Sequence, residues 1–158
     1  MTPLERCQET QILLMNIIDY WYEVDVKGGE GVGACYTEDA TFDGGNKPLV
    51  GREAIEAFYA WRRGRGTRTS RHVICNFRAD FHDADTCTTN SVMLLYAADG
   101  APVLPSMPPI LVAELVDTCV KRDGAWLYTS RTFVPLFQGD VPPTVPPEHV
   151  ADAHNRKE

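Results

Sequence analysis

The second half of the chain alternates apolar and polar residues with a period of two, and this pattern constrains the fold more than any other feature. From residue 70 onward it predicts four strands, at 71–81, 86–97, 110–121 and 125–137. Asp123-Gly124 predicts a tight hairpin turn between the last two strands. The expected architecture of this half is therefore an antiparallel meander.

Helical patterns dominate the first half. Thr2, Pro3 and Glu5 form a capping box that predicts a helix start, and Gly28-Gly29 predicts its end after about Val26. The patterns that follow predict a short helix at 30–36 ended by a polar turn at 37–39, a brief strand at 40–43 and a third helix within 49–62. Together the two halves predict an α+β fold with three helices packed against the sheet.

The size and charge of the chain indicate a single domain without a nucleic-acid surface. The chain has 158 residues and a net charge of −7, and this acidic balance argues against a nucleic-acid phosphate surface, which requires clustered Lys and Arg. The basic run at 62–65, with Arg68 and Arg71, is expected to be the solvated end of a helix. We expect one domain over 1–140 and a proline-rich tail over 141–158, extended and then disordered, with no metal site at its histidines.

The five cysteines are odd in number and widely spaced, and no Cys-x-x-Cys pair is present. Neither a disulfide framework nor a zinc site is predicted, so the cysteines are expected to be small buried hydrophobes in a reducing compartment. The N-terminus has no signal-peptide pattern, and no apolar run approaches the ~20 residues of a membrane span. We therefore expect a cytoplasmic protein with no membrane partner.

One strand and one helix carry the residues that suggest chemistry. In the predicted strand at 71–81, His72 and Asn76 share a face because side chains alternate between faces. In the first helix, Asp25 lies on the same apolar stripe as Ile18 and Trp21, near a helix end where the macrodipole disfavours negative charge. A compensating partner is one explanation, and simple exposure of Asp25 where the helix ends is the other.

Four segments resemble the SnoaL-like branch of the nuclear-transport-factor-2-like superfamily. They are Asp-Ala-Thr-Phe-Asp at 39–43, Gly-Arg-Glu-Ala-Ile at 51–55, Ser-Arg-His-x-x-x-Asn at 70–76 and Asp-Gly-Ala-Trp at 123–126. The resemblance covers roughly residues 5–137. It implies a curved antiparallel sheet that forms a cone around the long N-terminal helix, a cystatin-like roll with a pocket inside.

Within this superfamily the chain is distantly similar to the scytalone dehydratases, cofactor-free lyases in which a helix-borne Asp orients a strand-borne His. Asp25 and His72 match these two positions. The chain departs from the pattern elsewhere, because apolar residues replace polar ones at Val24, Ala97, Ala113 and Leu115. These departures imply a more apolar pocket and a different substrate.

The resemblance and the residues together predict an acid/base enzyme without cofactor or metal. If Asp25 fixes one ring nitrogen of His72, the other nitrogen is free to move a proton next to a carbonyl, as dehydratases, cyclases and isomerases require. The expected substrate is a hydrophobic or aromatic small molecule with a ring-shaped carbonyl framework. The residues expected to bind it are Trp21, Phe42, Tyr59, Asn76 and Met107.

Three further expectations accompany this reading. The proline-rich segment at 99–109 is expected to be the rim or lid of the pocket. A dimer or trimer is expected to form through the outer sheet face. An Asp25 partner is expected to raise the pKa of His72. The alternative from another class is a non-catalytic ligand-binding protein, or a structural subunit resembling the small subunit of ring-hydroxylating dioxygenases.

Overall fold

The computed structural model describes residues 1–45, 47–141, 143–145 and 147–152. It contains three α-helices, one 3₁₀ turn and six strands. In chain order they are α1 Pro3–Lys27, the 3₁₀ turn Val32–Cys35, β1 Tyr36–Asp43, β2 Leu49–Val50, α2 Arg52–Arg63, β3 Arg68–Phe81, β4 Thr86–Asp99, β5 Leu111–Arg122, β6 Ala125–Gln138 and α3 Glu148–Asp152. The four long strands lie where the alternation predicts them.

The six strands form one sheet in the order β2-β1-β6-β5-β4-β3. The meander from β3 to β6 is confirmed, since each strand pairs antiparallel with the next. Asp123 and Gly124 both have positive φ, as the predicted Asp-Gly hairpin requires. One pairing differs from the predominantly antiparallel pattern, because β1 runs parallel to β6 and makes the sheet mixed.

Helix α1 begins with the predicted capping box, in which the Thr2 side chain and the Glu5 side chain each accept the other's backbone N–H. The helix buries one face against the sheet. That face consists of Leu13, Ile17, Tyr20, Trp21 and Val24. Ile18, expected on the stripe, is 44% exposed, because the buried face is rotated about the helix axis toward Tyr20 and Val24.

The segment between α1 and α2 differs most from the prediction. The expected helix at 30–36 is only the 3₁₀ turn Val32–Cys35, and the expected polar turn at 37–39 is part of β1. Pairing with β6 draws these residues into a strand, and the Arg52 guanidinium fixes the strand start by donating to the Tyr36 carbonyl at 3.0 Å. Neither partner is near in sequence, so local patterns could not reveal the strand.

A β-bulge divides β3 into two halves. The pairing of β3 with β4 shifts register between Cys75 and Arg78, and Asn76 adopts a positive φ of 52°. Because a bulge inserts an extra residue, the alternation of faces reverses beyond it. The expectation that Asn76 shares the face of His72 is therefore wrong: Asn76 is exposed, and Phe77 packs against the core instead.

The C-terminal tail folds back over the domain. The short helix α3 packs against α2 and buries Val150, so this part of the tail is not extended as expected. Pro142, Pro146 and residues 153–158, which include His154, lie outside the described residues. Within the described chain, no helix combines the length and the apolar character that a membrane crossing needs.

Two further expectations concern burial. Cys87 and Cys119 are buried as predicted, but Cys7 and Cys75 are exposed, so the cysteines are not uniformly small core residues. The outer sheet face carries exposed apolar side chains at Val73 and Tyr96. The dimer or trimer expected through this face stays a prediction, which a mass measurement by light scattering tests.

Candidate active site

Asp25 lies in the last turn of α1 and faces β3. Its carboxylate accepts three hydrogen bonds: Oδ1 from the Ser70 hydroxyl at 2.7 Å and from the His72 ring at 2.7 Å, and Oδ2 from the His72 backbone N–H at 2.8 Å. The Asp25 side chain is only 6% exposed. These donors compensate a charge that burial and the helix terminus would otherwise disfavour.

His72 is held from two directions. Its Nδ1 lies 2.7 Å from Asp25 Oδ1, and because an ionised carboxylate only accepts, Nδ1 carries the proton and donates. The Trp21 ring stacks on the imidazole with centroids 3.9 Å apart and planes 13° apart. Among the described residues Nε2 has no hydrogen-bond partner, so it is the nitrogen that keeps a free lone pair.

The pKa values of the pair reflect burial and mutual contact. Burial lowers the pKa of His72, the Asp25 carboxylate opposes this, and the net result lies below the ordinary histidine value. Asp25 raises the pKa of His72 as expected, but burial outweighs the carboxylate and the cationic Arg62 acts in the same direction as burial, so the net pKa is lowered. For Asp25, burial would raise the pKa, but His72 and Ser70 lower it overall. The pair is thus a neutral imidazole beside a carboxylate at neutral pH.

His72 lines a cavity with about 590 Å³ of empty space that is partly open to solvent. Three of the residues expected to bind substrate line the same cavity, namely Trp21, Phe42 and Tyr59. Leu95, Leu111 and Phe133 add apolar walls from the sheet. The apolar character of this lining suits a ring-shaped apolar molecule.

Asn76 and Met107 do not join this group. Asn76 is exposed within the bulge, and Met107 is 60% exposed in the segment between β4 and β5. In the described chain, none of residues 100–109 lines the cavity, so this proline-rich segment is not its rim. The tail takes that place, since residues 143–145 close one side of the cavity.

Sequence reasoning did not assign roles to Ser70 or Arg62. Ser70 anchors Asp25, and its position two residues before His72 in the same strand was the available signal. Arg62 and Arg68, expected to be solvated, both line the cavity. Helical spacing gave a signal for Arg62, because it follows Ile55 by seven residues and Tyr59 by three on the buried face of α2.

A second charged pair lies in the core beside the site. The Arg131 guanidinium donates to both carboxylate oxygens of Asp117, at 2.8 and 2.7 Å, and both side chains are at most 1% exposed. The guanidinium packs over the Tyr20 and Tyr128 rings at 4.2 Å. Alternation predicts that every second residue of each strand faces inward. It does not predict that two charged residues would meet there.

The site pairs a buried carboxylate with an imidazole that faces an apolar cavity. Within the described residues there is no cluster of three or more His, Cys, Asp or Glu side chains that could hold a metal ion. The free Nε2 of His72, set in apolar walls, can accept a proton from a bound molecule, while Asp25 stabilises the imidazolium that forms. The arrangement is therefore suited to general acid/base chemistry.

The chain is similar to a known family of protein domains. A family model described as a SnoaL-like domain matches residues 17–132, more than half of the chain. No curated protein matches the chain significantly.

Three solved structures illustrate the likeness of fold. A protein from Novosphingobium aromaticivorans provisionally named a scytalone dehydratase is 23% identical, with a TM-score of 0.79 over 92% of this chain and 95% of that one. LinA is 22% identical, with a TM-score of 0.69 over 91% and 100%. A protein of unknown function with a cystatin-like fold from Nostoc punctiforme is 16% identical, with a TM-score of 0.68 over 86% and 94%. These likenesses establish the cone-shaped fold.

Proposed function

We propose that this chain, which belongs to the SnoaL-like domain family, is a cofactor-free enzyme that moves a proton on a ring-shaped carbonyl compound. The single observation that carries the proposal is the arrangement of His72. Its Nδ1–H is bound to the buried Asp25, its ring is stacked on Trp21, and its cavity is apolar. A structural histidine in a core ordinarily has both ring nitrogens satisfied, whereas this one keeps Nε2 free among the described residues.

The proposed reaction begins with proton removal. Nε2 of His72 accepts a proton from the carbon next to the carbonyl, and the C–H electron pair forms an enolate. In a dehydration, this electron pair forms a C=C bond as the bond from the next carbon to its hydroxyl breaks. The imidazolium returns its proton to the leaving oxygen, so that water departs and His72 is neutral again. Return of the proton to a different carbon gives an isomerisation instead.

The electrostatics of the pair suit this cycle. The lowered pKa of His72 leaves the ring neutral, and so available as a base, at neutral pH. Asp25 remains ionised because its pKa is also lowered, so it stabilises the imidazolium during its short lifetime. A positioned acid/base group contributes about 10² to 10⁴ in rate, which is adequate when a carbonyl already acidifies the proton.

The test is a screen of cyclic β-hydroxyketones in deuterated water, followed by NMR. Wild-type protein is expected to eliminate water from at least one compound, or to exchange deuterium into the position next to its carbonyl. His72→Gln is expected to lose this reaction. His82→Gln is the matched control, because His82 is exposed and lies outside the cavity.

Two results would count against the proposal. Turnover of His72→Gln at the wild-type rate would show that the imidazole takes no part in the reaction. Tight binding of cyclic ketones with neither elimination nor exchange would instead indicate the non-catalytic ligand-binding protein.

A further inference from the structure

The cavity around His72 adjoins a second hollow, which we call the basin. It has about 1000 Å³ of empty space open to solvent and lies between the end of α1, the end of α2 and the start of β3. Three residues line both the cavity and the basin: Arg62, Arg68 and Thr144. A molecule whose ring occupies the cavity can therefore extend a substituent past these side chains.

The basin is basic although the chain is acidic. It is lined by five Lys or Arg side chains, namely Lys27, Arg62, Arg63, Arg65 and Arg68, against two carboxylates, Asp25 and Asp99. The whole chain has 22 acidic and 15 basic residues, so one third of its basic residues gather at this one hollow. Such a local excess of positive charge attracts anions.

The two carboxylates do not neutralise this charge. The Asp25 oxygens are occupied by Ser70 and His72. Asp99 pairs with Arg68 at 2.7 Å, but its side chain is 85% exposed, and an ion pair at the surface is weak enough for a ligand to replace.

Arg62 has the most unused hydrogen-bonding capacity of the residues shared by cavity and basin. Its one hydrogen bond among the described residues is a long one, 3.4 Å from Nη2 to the Ser70 hydroxyl, and it forms no ion pair there. The side chain is half-buried, with the guanidinium 6.0 Å from the centre of the Tyr59 ring. A guanidinium has five N–H donors arranged to bind a carboxylate or phosphate by two parallel bonds.

We propose that the substrate carries an anionic oxygen group, a carboxylate or a phosphate, which Arg62 and Arg68 bind where the cavity meets the basin. The inference rests on the proposed function, because it places the substrate ring against His72. It adds a substrate class: the anion fixes one end of the molecule, so that the ring presents the same carbon to Nε2 at each turnover. Neutral ring compounds are then poorer substrates than anionic compounds of the same ring framework.

Binding of matched probes tests the inference without any turnover. The probes are 2-naphthoate, its neutral isostere 2-naphthamide, 2-naphthyl phosphate and inorganic phosphate, each titrated by calorimetry. Wild-type protein is expected to bind naphthoate or naphthyl phosphate about 10- to 100-fold more tightly than naphthamide, the range of a charge-assisted hydrogen bond. The tighter of the two anions identifies the group, and inorganic phosphate alone should bind more weakly than the naphthyl ester.

Variants of Arg62 and Arg68 show which side chain causes the preference for the anion. Arg62→Gln is expected to abolish the preference for the anion, Arg62→Lys to retain part of it, and Arg68→Gln to reduce it. Arg122→Gln is the matched control, since Arg122 is an exposed arginine at the β5–β6 hairpin. Thermal unfolding of each variant ensures that lost binding is not lost folding.

Equal affinity for naphthoate, naphthyl phosphate and naphthamide would overturn the inference, as would no binding of the anions or a preference that survives Arg62→Gln. Failure of the proposed function is distinguishable. If the anion preference depends on Arg62 but His72→Gln leaves turnover unchanged, the anion site stands and the acid/base role does not. If neutral ketones react through His72 and the anion preference is absent, the acid/base role stands and the anion site does not.

Discussion

Two buried carboxylates in this protein each hold a basic side chain at 2.7 Å, but the surroundings of the two pairs differ. Asp25 binds His72 beside a cavity, and each side chain is 6% exposed. Asp117 binds Arg131 in the core, and their side chains are 1% and 0% exposed. The first pair leaves the His72 Nε2 free among the described residues, whereas the second engages both carboxylate oxygens and lines neither the cavity nor the basin.

The difference lies in what can change protonation. Burial would lower the pKa of Arg131, but Asp117 raises it well above its ordinary value, so the guanidinium remains charged at every accessible pH. The pKa of His72 is lowered, which keeps a proton-accepting nitrogen beside the cavity. Burial with a partner therefore produces a structural cation in one place and a base in the other. The same Asp→Asn substitution in each pair should separate these roles.

Asp25→Asn is expected to lower turnover by about 10² to 10⁴, the contribution of a positioned acid/base group. The amide oxygen must accept from the His72 backbone N–H, so the amide NH₂ faces Nδ1. The neutral His72 ring then carries its proton on Nε2 instead of Nδ1, so Nε2 cannot accept a proton. The measurement is steady-state turnover of the compound found in the hydroxyketone screen.

The control for this substitution is Asp39→Asn, because Asp39 is exposed on β1. Its turnover should match wild type. We expect the free energy of unfolding of Asp25→Asn to fall far less than that of Asp117→Asn. Unchanged turnover in Asp25→Asn would show that Asp25 has no catalytic role and that the two pairs do not differ in this respect.

Asp117→Asn is expected to lower the free energy of unfolding by about 3–5 kcal/mol, because it leaves a buried guanidinium without its counter-charge. Urea unfolding measures this loss. The double variant Asp117→Leu with Arg131→Met should recover most of the stability, since apolar residues of similar size can replace a buried ion pair. If Asp117→Asn were no less stable than Asp25→Asn, the two pairs would not differ as we argue.

The sequence predicts the site better than its surroundings, for a physical reason. Asp25 stands out because a carboxylate on an apolar helix stripe needs compensation, and His72 stands out on a strand with clear alternation. Both signals come from neighbours within a few residues. The capping box of α1 and the Asp-Gly turn are local in the same way, and the structure contains both.

The features that the sequence did not predict depend on contacts distant in sequence. The strand from Tyr36 forms because β6, some ninety residues later, offers a parallel partner. The bulge at Asn76 reverses the faces of β3, and although asparagine tolerates positive φ, nothing local requires it there. Asp117 and Arg131 meet only once the β5–β6 register is set.

Tyr36→Phe tests whether the core beside the Asp117–Arg131 pair affects stability but not turnover. The Tyr36 hydroxyl donates to Tyr20 at 2.9 Å, and the Tyr20 and Tyr59 hydroxyls share a hydrogen bond of 2.6 Å. Removal of one hydroxyl should cost about 1 kcal/mol of unfolding free energy, the typical net value of one hydrogen bond. Because Tyr36 does not line the cavity, its substitution should act independently of the site. Turnover should therefore change by less than about twofold. A large loss of turnover would show that the core and the site are coupled.

The smallest expected effect is the pH dependence of stability that His72 confers. Its pKa is lower in the folded protein than in the unfolded chain, so between these two values the unfolded chain binds more protons. The free energy of unfolding should therefore be highest above the ordinary histidine pKa of about 6.5 and fall as the pH decreases through it. The effect is small because burial and Asp25 act on this pKa in opposite directions.

Chemical unfolding between about pH 5 and 7.5, above the ordinary range of Asp and Glu, isolates this effect. The decrease should be smaller in His72→Gln than in the wild-type protein. In Asp25→Asn the pKa of His72 should fall further, because the carboxylate that opposes burial is gone, so the decrease should extend to lower pH. Arg131 remains charged throughout this range, so its guanidinium contributes no slope. A stability that rises as the pH falls would mean that Asp25 outweighs burial, and His72 would then resemble the permanently charged partner of Asp117.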